Sequence, residues 1–401
     1  MKILHTADWH IGKKLHRHDL YTDFERFIDW LCVEIKRQKV DLLLVSGDIF
    51  DLANPSSEAR GQYYRALIAL RNLDCKVILT GGNHDSPDML NAPRELLQVL
   101  DMHVIGGLPE NLEDTIIPIK DQNNNVELVV AALPYLRDAD LRSANQGQTY
   151  EDRIEAVREG IASVFGQAAA LCKKLYPDVP AIALGHLYAA GIEPSESERD
   201  IQIGNQAAFN ASQFGEYFKY IALGHIHKPQ QVSAAVPTFY SGSPLPLSFS
   251  ERKDPKRILL IDTENSWTPT TIAVPIFRRL IRISGDLGKL RSKLRKLPPS
   301  EGLASLLELE LREERYDALK IYELDEMVSS FNTAGYEIVK HRAHFEENQK
   351  EAGALYEDTT QLEDLKPRDV FKEKLNDQNY DPEDYQELLS AFDELMEAAE
   401  R

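Results

Sequence analysis

Cysteine is scarce in this chain. There are three, Cys32, Cys75 and Cys172, far apart and in no Cys-x-x-Cys pair. That excludes a disulfide-built scaffold and a thiolate metal site, and leaves three small hydrophobes suited to a reducing compartment. Long apolar runs are missing too. No stretch reaches the roughly 18 residues of a membrane helix. Charges and histidines within Met-Lys-Ile-Leu-His-Thr-Ala-Asp-Trp-His interrupt any signal-peptide core, so the chain is expected to stay on the side where it is made. Glycine and proline, 21 and 20 of 401 residues, are near average use and without period, which excludes collagenous and low-complexity classes.

Basic charge is in deficit: 46 Lys and Arg stand against 65 Asp and Glu, net −19. Taken alone, that argues against a nucleic-acid binder. The distribution changes the picture. Residues 341–401 hold 7 basic and 18 acidic side chains, more than half of the excess. Arg278, Arg279, Arg282, Lys289, Arg291, Lys293, Arg295 and Lys296, by contrast, face only Asp286 within 278–297. Acidic and basic roles look segregated along the chain.

What is present is an alternation of apolar β-type runs with helical stretches over residues 1–275. Strands are expected at 2–6, 41–45, 76–80, 127–133, 181–184, 220–223 and 257–261. Continuous runs such as Leu42-Leu43-Leu44-Val45 suit strands buried on both faces. Helices are expected at 23–38, 57–73, 92–100 and 151–175, which gives a layered α/β class. Beyond Val274-Pro275 the pattern reads strand, helix, strand, helix, strand over 278–342, a small α+β unit. A polar linker follows, then two amphipathic helices. One spans about 362–375. The other opens with Asp381-Pro382 and carries an apolar stripe of Leu388, Leu389, Phe392, Leu395 and Met396.

Five short motifs follow expected strands: Asp8-Trp9-His10, Gly47-Asp48-Ile49-Phe50-Asp51, Gly82-Asn83-His84-Asp85, Gly185-His186 and Gly224-His225-Ile226-His227. Residues two apart on an extended strand end point to one face, so Asp8 with His10, and His225 with His227, are expected to grip one ion each time. Strand ends of an α/β sheet converge at one edge. The donors are carboxylate, imidazole and one amide, which suits a first-row divalent ion such as manganese, iron or zinc. One shared carboxylate can bridge two ions that clamp a phosphate. One bridge plus three further ligands for each ion is met by Asp8, His10, Asp48, Asn83, His186, His225 and His227, without His84 or Asp51.

The ordered set D-x-H, G-D-x-x-D, G-N-H-D/E, G-H, G-H-x-H resembles the calcineurin-like metallophosphoesterase superfamily. Leu4–Gly12, Ser46–Asp51, Gly81–Ser86, Tyr220–His227 and Tyr240–Pro244 are similar, more narrowly, to the family of SbcCD nuclease subunits. The resemblance is strongest over 1–250 and weak after about 280. It implies a metallophosphoesterase β-sandwich flanked by helices (1–275), a small α+β capping domain lining the DNA path (276–342), and a linker with C-terminal helices docking on the SbcC ATPase (343–401).

It also implies two divalent ions, most simply Mn2+. Asp8, His10, Asp48 and His227 would hold one, and Asp48, Asn83, His186 and His225 the other. His84, oriented by Asp51, would serve the leaving oxygen, since an imidazole titrates near neutral pH. The implied reaction is DNA cleavage, 3′→5′ on duplex ends and endonucleolytic on single strands and hairpins. The implied setting is a cytoplasmic, nucleoid-associated heterotetramer with an SMC-like ATPase, acting in repair, recombination and replication, with dimer contacts through 57–73 and 92–101. The basic cluster at 278–296 and the run Lys13, Lys14, His16, Arg17, His18 are candidate phosphate contacts, and much of the DNA-binding charge is expected from the partner.

Two other readings stand. One is a phosphomonoesterase or cyclic-nucleotide phosphodiesterase on the same fold. Protein phosphatases of the superfamily usually carry Arg after the second motif and Glu after Gly-Asn-His, where this chain has Leu52 and Asp85, which favours the nuclease. The other is a non-catalytic scaffold, disfavoured by the complete donor set.

Overall fold

A run such as Leu42–Val45 must bury both faces, and it does so by alternation. Leu42 and Leu44 face one hydrophobic layer, with Ile3, Ile78, Val130, Ile182 and Leu184. Leu43 and Val45 face another, with Leu4, Phe24, Phe27, Leu31, Tyr63 and Leu67. The first layer lies between two six-stranded sheets, and the second lies under helices. A third layer, with Val129, Ala131, Ala183 and Leu223 against Val157, Ile161 and Phe165, covers the far side of the second sheet. This computed structural model describes residues 1–141, 150–193, 198, 208–300, 302–345, 375, 385, 388, 389, 391 and 392.

The first sheet runs, edge to edge, Ser266–Ala273, Arg257–Asp262, Lys2–Thr6, Leu42–Ser46, Lys76–Thr80, Met102–Ile105. Its last four strands are parallel and its first two antiparallel. The second runs Gln230–Val232, Thr238–Tyr240, Ile221–Gly224, Ala181–His186, Val126–Ala132, Ile116–Lys120, with four parallel strands inside antiparallel edges. Helices Tyr21–Gln38 and Ser57–Arg71 cover the first sheet, and Tyr150–Leu175 covers the second. Ser56 caps its helix by accepting the Ala59 N–H at 3.1 Å.

The expected α/β sandwich is present, with differences. The single helix expected at 92–100 is two short ones, Pro87–Asn91 and Arg94–Gln98. Pro93 between them has no N–H to continue the ladder. Strands 102–105, 116–120, 230–232, 238–240 and 266–273 were not anticipated; most are too short for alternation to register.

Residues 280–345 hold three parallel strands, Leu280–Gly285, Ser305–Glu313 and Tyr336–Phe345, joined through helices Leu287–Arg295 and Ala318–Ser329 as one small unit. The last strand continues to Phe345, past the boundary at 342, because Phe345 pairs with Glu313 and packs on Tyr316. The unit is docked on the large one. Leu306 and Leu280 pack with Leu15, Leu20 and Phe249, and the Asp23 carboxylate receives Arg278.

The basic cluster differs most from expectation. Five of its eight cations are engaged within the chain: Arg278 with Asp23, Arg282 with Glu308, Lys289 with Asp286, Arg291 with Glu323, and Lys293 with the Ser284 carbonyl. Arg278 and Arg282 are thus spent on packing within the chain, while the pairs of Lys289 and Arg291 stay at the surface. The expected linker and the two C-terminal helices lie almost wholly outside the described residues. Of the apolar stripe, Leu389 is buried and Leu388 exposed.

Candidate metal centre

The motifs meet where the parallel strands of both sheets end. Lys2–Thr6 leads to Asp8 and His10, Leu42–Ser46 to Asp48, and Lys76–Thr80 to Asn83 and His84. Ala181–His186 ends on His186, and Ile221–Gly224 leads to His225 and His227. All seven expected ligands, with His84 and Asp51, come together there. Asp8, His10 and His227 form one buried group, Asp48, His186 and His225 a second, and His10, Asp48 and His84 a third. Asn83 Oδ1 joins the second group, 2.9 Å from His186 Nε2 and 3.2 Å from His225 Nδ1.

Strand alternation is not how Asp8 and His10 converge, contrary to the expectation from their spacing. Both lie beyond the strand end with left-handed backbone, φ 54° and 45°, and Asp48 and His225 are also positive at 49° and 100°. Such angles cost non-glycine residues about 1–3 kcal/mol each and persist where surrounding bonds over-determine them. Here the Asp8 N–H donates to the Gly47 carbonyl at 3.1 Å and the His10 N–H to the Asp48 carbonyl at 3.0 Å. The His225 N–H donates to Asp8 Oδ1 at 2.8 Å, and the His84 N–H to Asp48 Oδ1 at 2.9 Å. Gly82 is obligatory, since a Cβ there would strike the Asp48 carboxylate and main-chain nitrogen.

Asp48 stands at the centre. Its Oδ2 lies 3.5 Å from His10 Nε2 and 3.4 Å from His186 Nε2. Burial pushes its pKa up, but His186, His10 and His84 together hold it well below the usual carboxylate range. Burial opposes protonation of His186, yet Asp48 raises it to about 9. Burial lowers His10 to about 4 and takes His225 well down. Asp8 is pushed up to about 7, chiefly by burial.

This donor set fits divalent cations. Asp8 Oδ2 and His225 Nε2 are buried with no hydrogen-bond partner among the described residues. The His10 ring directs Nδ1 at the Asp51 carboxylate, 3.3 Å away, and the His227 ring directs Nδ1 at Glu251, 3.4 Å away. A carboxylate only accepts, so the His227 Nδ1 that bonds to Glu251 carries a proton, while His10 Nδ1 faces Asp51 without a hydrogen bond. The two Nε2 atoms face one another at 3.1 Å, an arrangement that a cation bound by both resolves.

Asp51 has a divided role. Its main-chain carbonyl accepts the His84 Nδ1–H at 2.7 Å. Its side chain pairs with Lys13 at 3.0 Å as well as facing His10. Lys13 is therefore engaged inside the site, Lys14 pairs with Asp19 at the surface, and His18 meets Glu337 of the small unit.

Sequence reasoning missed three supporting residues. Asp85 accepts the N–H groups of Gly82 (2.8 Å), Ile49 (3.0 Å) and Phe50 (2.9 Å), stitching the second motif to the third. Glu251 and Lys256 form a buried pair behind His227. Neither of these two belongs to a motif, and only the nearby Ser-Gly-Ser-Pro segment hinted at that region.

Residues 1–229 match the model of the calcineurin-like phosphoesterases, and residues 276–379 that of the type 5 capsule protein repressor C-terminal domain. Among curated relatives, the SbcD subunit of the SbcCD nuclease of Escherichia coli K12 is 29% identical, with 98% of this chain and 97% of that protein aligned. Its namesake in Rhodobacter capsulatus is 36% identical over 69% of each chain, and that of Bacillus subtilis 33% over 66% of each. The chain belongs to the calcineurin-like phosphoesterases, metal-dependent phosphodiester hydrolases, and within them to the SbcD family of SbcCD nuclease subunits.

Proposed function

We propose that the chain is the nuclease subunit of a complex with an SMC-like ATPase of the SbcC type, and cleaves DNA phosphodiesters with two divalent cations, manganese foremost. One observation carries the two-ion reading: a single Asp48 oxygen stands at 3.5 Å and 3.4 Å from imidazole nitrogens of two separate donor groups. Asp8, His10, Asp48 and His227 would hold one cation, and Asp48, Asn83, His186 and His225 the other. Cations bound there supply Lewis acidity that lowers the pKa of water and neutralises a phosphate.

The chain's own residues do the rest. His84, fixed through Nδ1–H on the Asp51 carbonyl, acts as the imidazolium, gives its Nε2 proton to the leaving oxygen and is left as neutral imidazole. Asp51 and Glu251 keep His10 and His227 turned with Nε2 inward.

The substrates are duplex ends, degraded 3′→5′, and single strands and hairpins, cut internally, in repair, recombination and replication. Two such chains pair through the apolar face of the helices near Ile68 and Val99, which are 63% and 81% exposed. The test assays a DNA hairpin and a small aryl phosphate with manganese, the purified chain and its SbcC partner, together with metal analysis. Hairpin cleavage with two manganese ions per chain, abolished by His84→Gln with both ions retained, is expected. An intact hairpin alongside a hydrolysed aryl phosphate would overturn the assignment.

A further inference from the structure

Behind His227 lies a charged pair that no motif marks. The Glu251 side chain is fully buried and that of Lys256 nearly so, and they meet at 2.5 Å. The three N–H groups of the Lys256 ammonium have three acceptors: Glu251 Oε2 at 2.5 Å, Ser243 Oγ at 2.8 Å and the His227 carbonyl at 3.2 Å. Glu251 Oε2 also accepts from Leu247 N–H at 3.2 Å, while the Ser243 hydroxyl donates to the Leu245 carbonyl at 2.9 Å. With Oε2 committed, Oε1 is turned to His227 Nδ1 at 3.4 Å, with Ser248 Oγ at the same distance. His227 is thus held at its ring by Glu251 and at its main chain by Lys256, which meets its carbonyl, and by Glu198, whose Oε1 accepts its N–H at 2.7 Å.

We infer that Glu251, clamped by Lys256, is a positioning residue that holds His227 in its Nδ1–H form, with Nε2 as the lone-pair donor toward the first cation. The inference rests on the reading of His227 as a metal ligand. Lys256 has a distinct part. A lone carboxylate would add a full negative charge beside a cluster that already contains Asp8 and Asp48. The ammonium cancels it, so the pair delivers orientation with no net charge. Removing one member leaves a buried charge uncompensated, whereas replacing both by Gln and Met keeps an acceptor for Nδ1–H at neutral charge.

The test has two readouts on the full-length chain. Long-range 1H–15N NMR of histidine-labelled, chelator-treated protein, recorded at alkaline pH where the ring is neutral, reads the His227 tautomer. Calorimetric titration with manganese reads each site's affinity. Wild type is expected as the Nδ1–H tautomer. Glu251→Leu is expected to lose that tautomer and to weaken one of the two manganese sites roughly 10–100-fold, leaving the other within about threefold. The double variant Glu251→Gln/Lys256→Met is expected to recover the tautomer and most of the affinity.

An Nε2–H tautomer in wild type would overturn the proposal without recourse to any variant. So would a folded Glu251→Leu protein with both affinities unchanged, or with both reduced alike. Wild type that binds no manganese would instead defeat the metal reading, and the tautomer measurement would still decide the orientation.

Discussion

Asp23 and Arg278 are 255 positions apart and meet in a two-pronged ion pair. Arg278 Nε lies 2.8 Å from one carboxylate oxygen and its Nη2 2.9 Å from the other. Its remaining nitrogen donates to the Ala304 carbonyl at 2.6 Å. Asp23 stands in the first turn of the helix covering the first sheet, and Arg278 opens the small unit. The pair is buried and so ties the two units where water cannot compete.

Breaking this pair from one side strands a charge in the interior. Asp23→Ala is expected to lower stability by about 3–5 kcal/mol, read by urea unfolding. The double replacement Asp23→Leu/Arg278→Met, apolar and of similar volume, is expected to recover most of the loss. A single variant within about 1 kcal/mol of wild type, the range of an exposed pair, would show that the units are held by their other contacts, the apolar cluster around Leu306 and Phe249 foremost.

The architecture was legible because apolar runs and glycine-bearing polar motifs alternate so regularly: Leu42–Val45 announces a doubly buried strand, and Gly47-Asp48 announces where it stops. All nine candidate site residues could be named for the same reason. Their conformations could not. Spacing is blind to backbone hand, so Asp8 and His10 read as strand positions although they are left-handed. Partners brought from afar were equally invisible. Arg278 looked like one cation of a basic run because nothing local shows that Asp23 is waiting for it. Glu251 belongs to none of the five motifs, although its carboxylate is held by Leu247 and Lys256 behind His227.

The tight approach at Gly82 makes a second prediction. Gly82→Ala adds one methyl against the Asp48 carboxylate and main-chain nitrogen and is expected to displace that central carboxylate. Cleavage with manganese is expected to fall on the order of 10²-fold or more, while far-UV circular dichroism stays native. Activity within a few-fold of wild type would mean that Asp48 has room to move and is not the fixed centre of the site.

A third prediction concerns acid stability. His5 is fully buried between the sheets, its Nδ1 2.9 Å from the Tyr220 hydroxyl. Burial lowers its pKa from 6.5 to about 3. Between those values the unfolded chain takes up a proton that the folded chain refuses. Stability is therefore complete above about pH 6.5 and falls as the pH drops toward 3, by up to about 1.4 kcal/mol per pH unit from this residue. His5→Gln, neutral throughout, is expected to flatten the decline between pH 6 and 4 in chelator. His10 and His225 will keep part of the slope. An unchanged slope would mean that His5 gains its proton without unfolding.

The last prediction sets function against stability at Asp8. Without metal, Asp8 is a fully buried carboxylate whose Oδ1 accepts the His225 N–H, while Oδ2 has no hydrogen-bond partner among the described residues. An unsatisfied buried polar atom costs about 1–3 kcal/mol, more when charged. Asp8→Asn keeps the acceptor for His225 and removes the charge, so the variant is expected to unfold at higher urea than wild type in chelator. Manganese reverses the order. A ligand at a hundred times its dissociation constant stabilises the folded state by about 2.7 kcal/mol, and wild type gains that in full while the variant, with a weakened site, gains less. Urea unfolding of both proteins in chelator and in manganese gives four midpoints, and the crossing is the signature. If Asp8→Asn is the less stable protein in both conditions, Asp8 Oδ2 is not a cation ligand but a group the fold already satisfies.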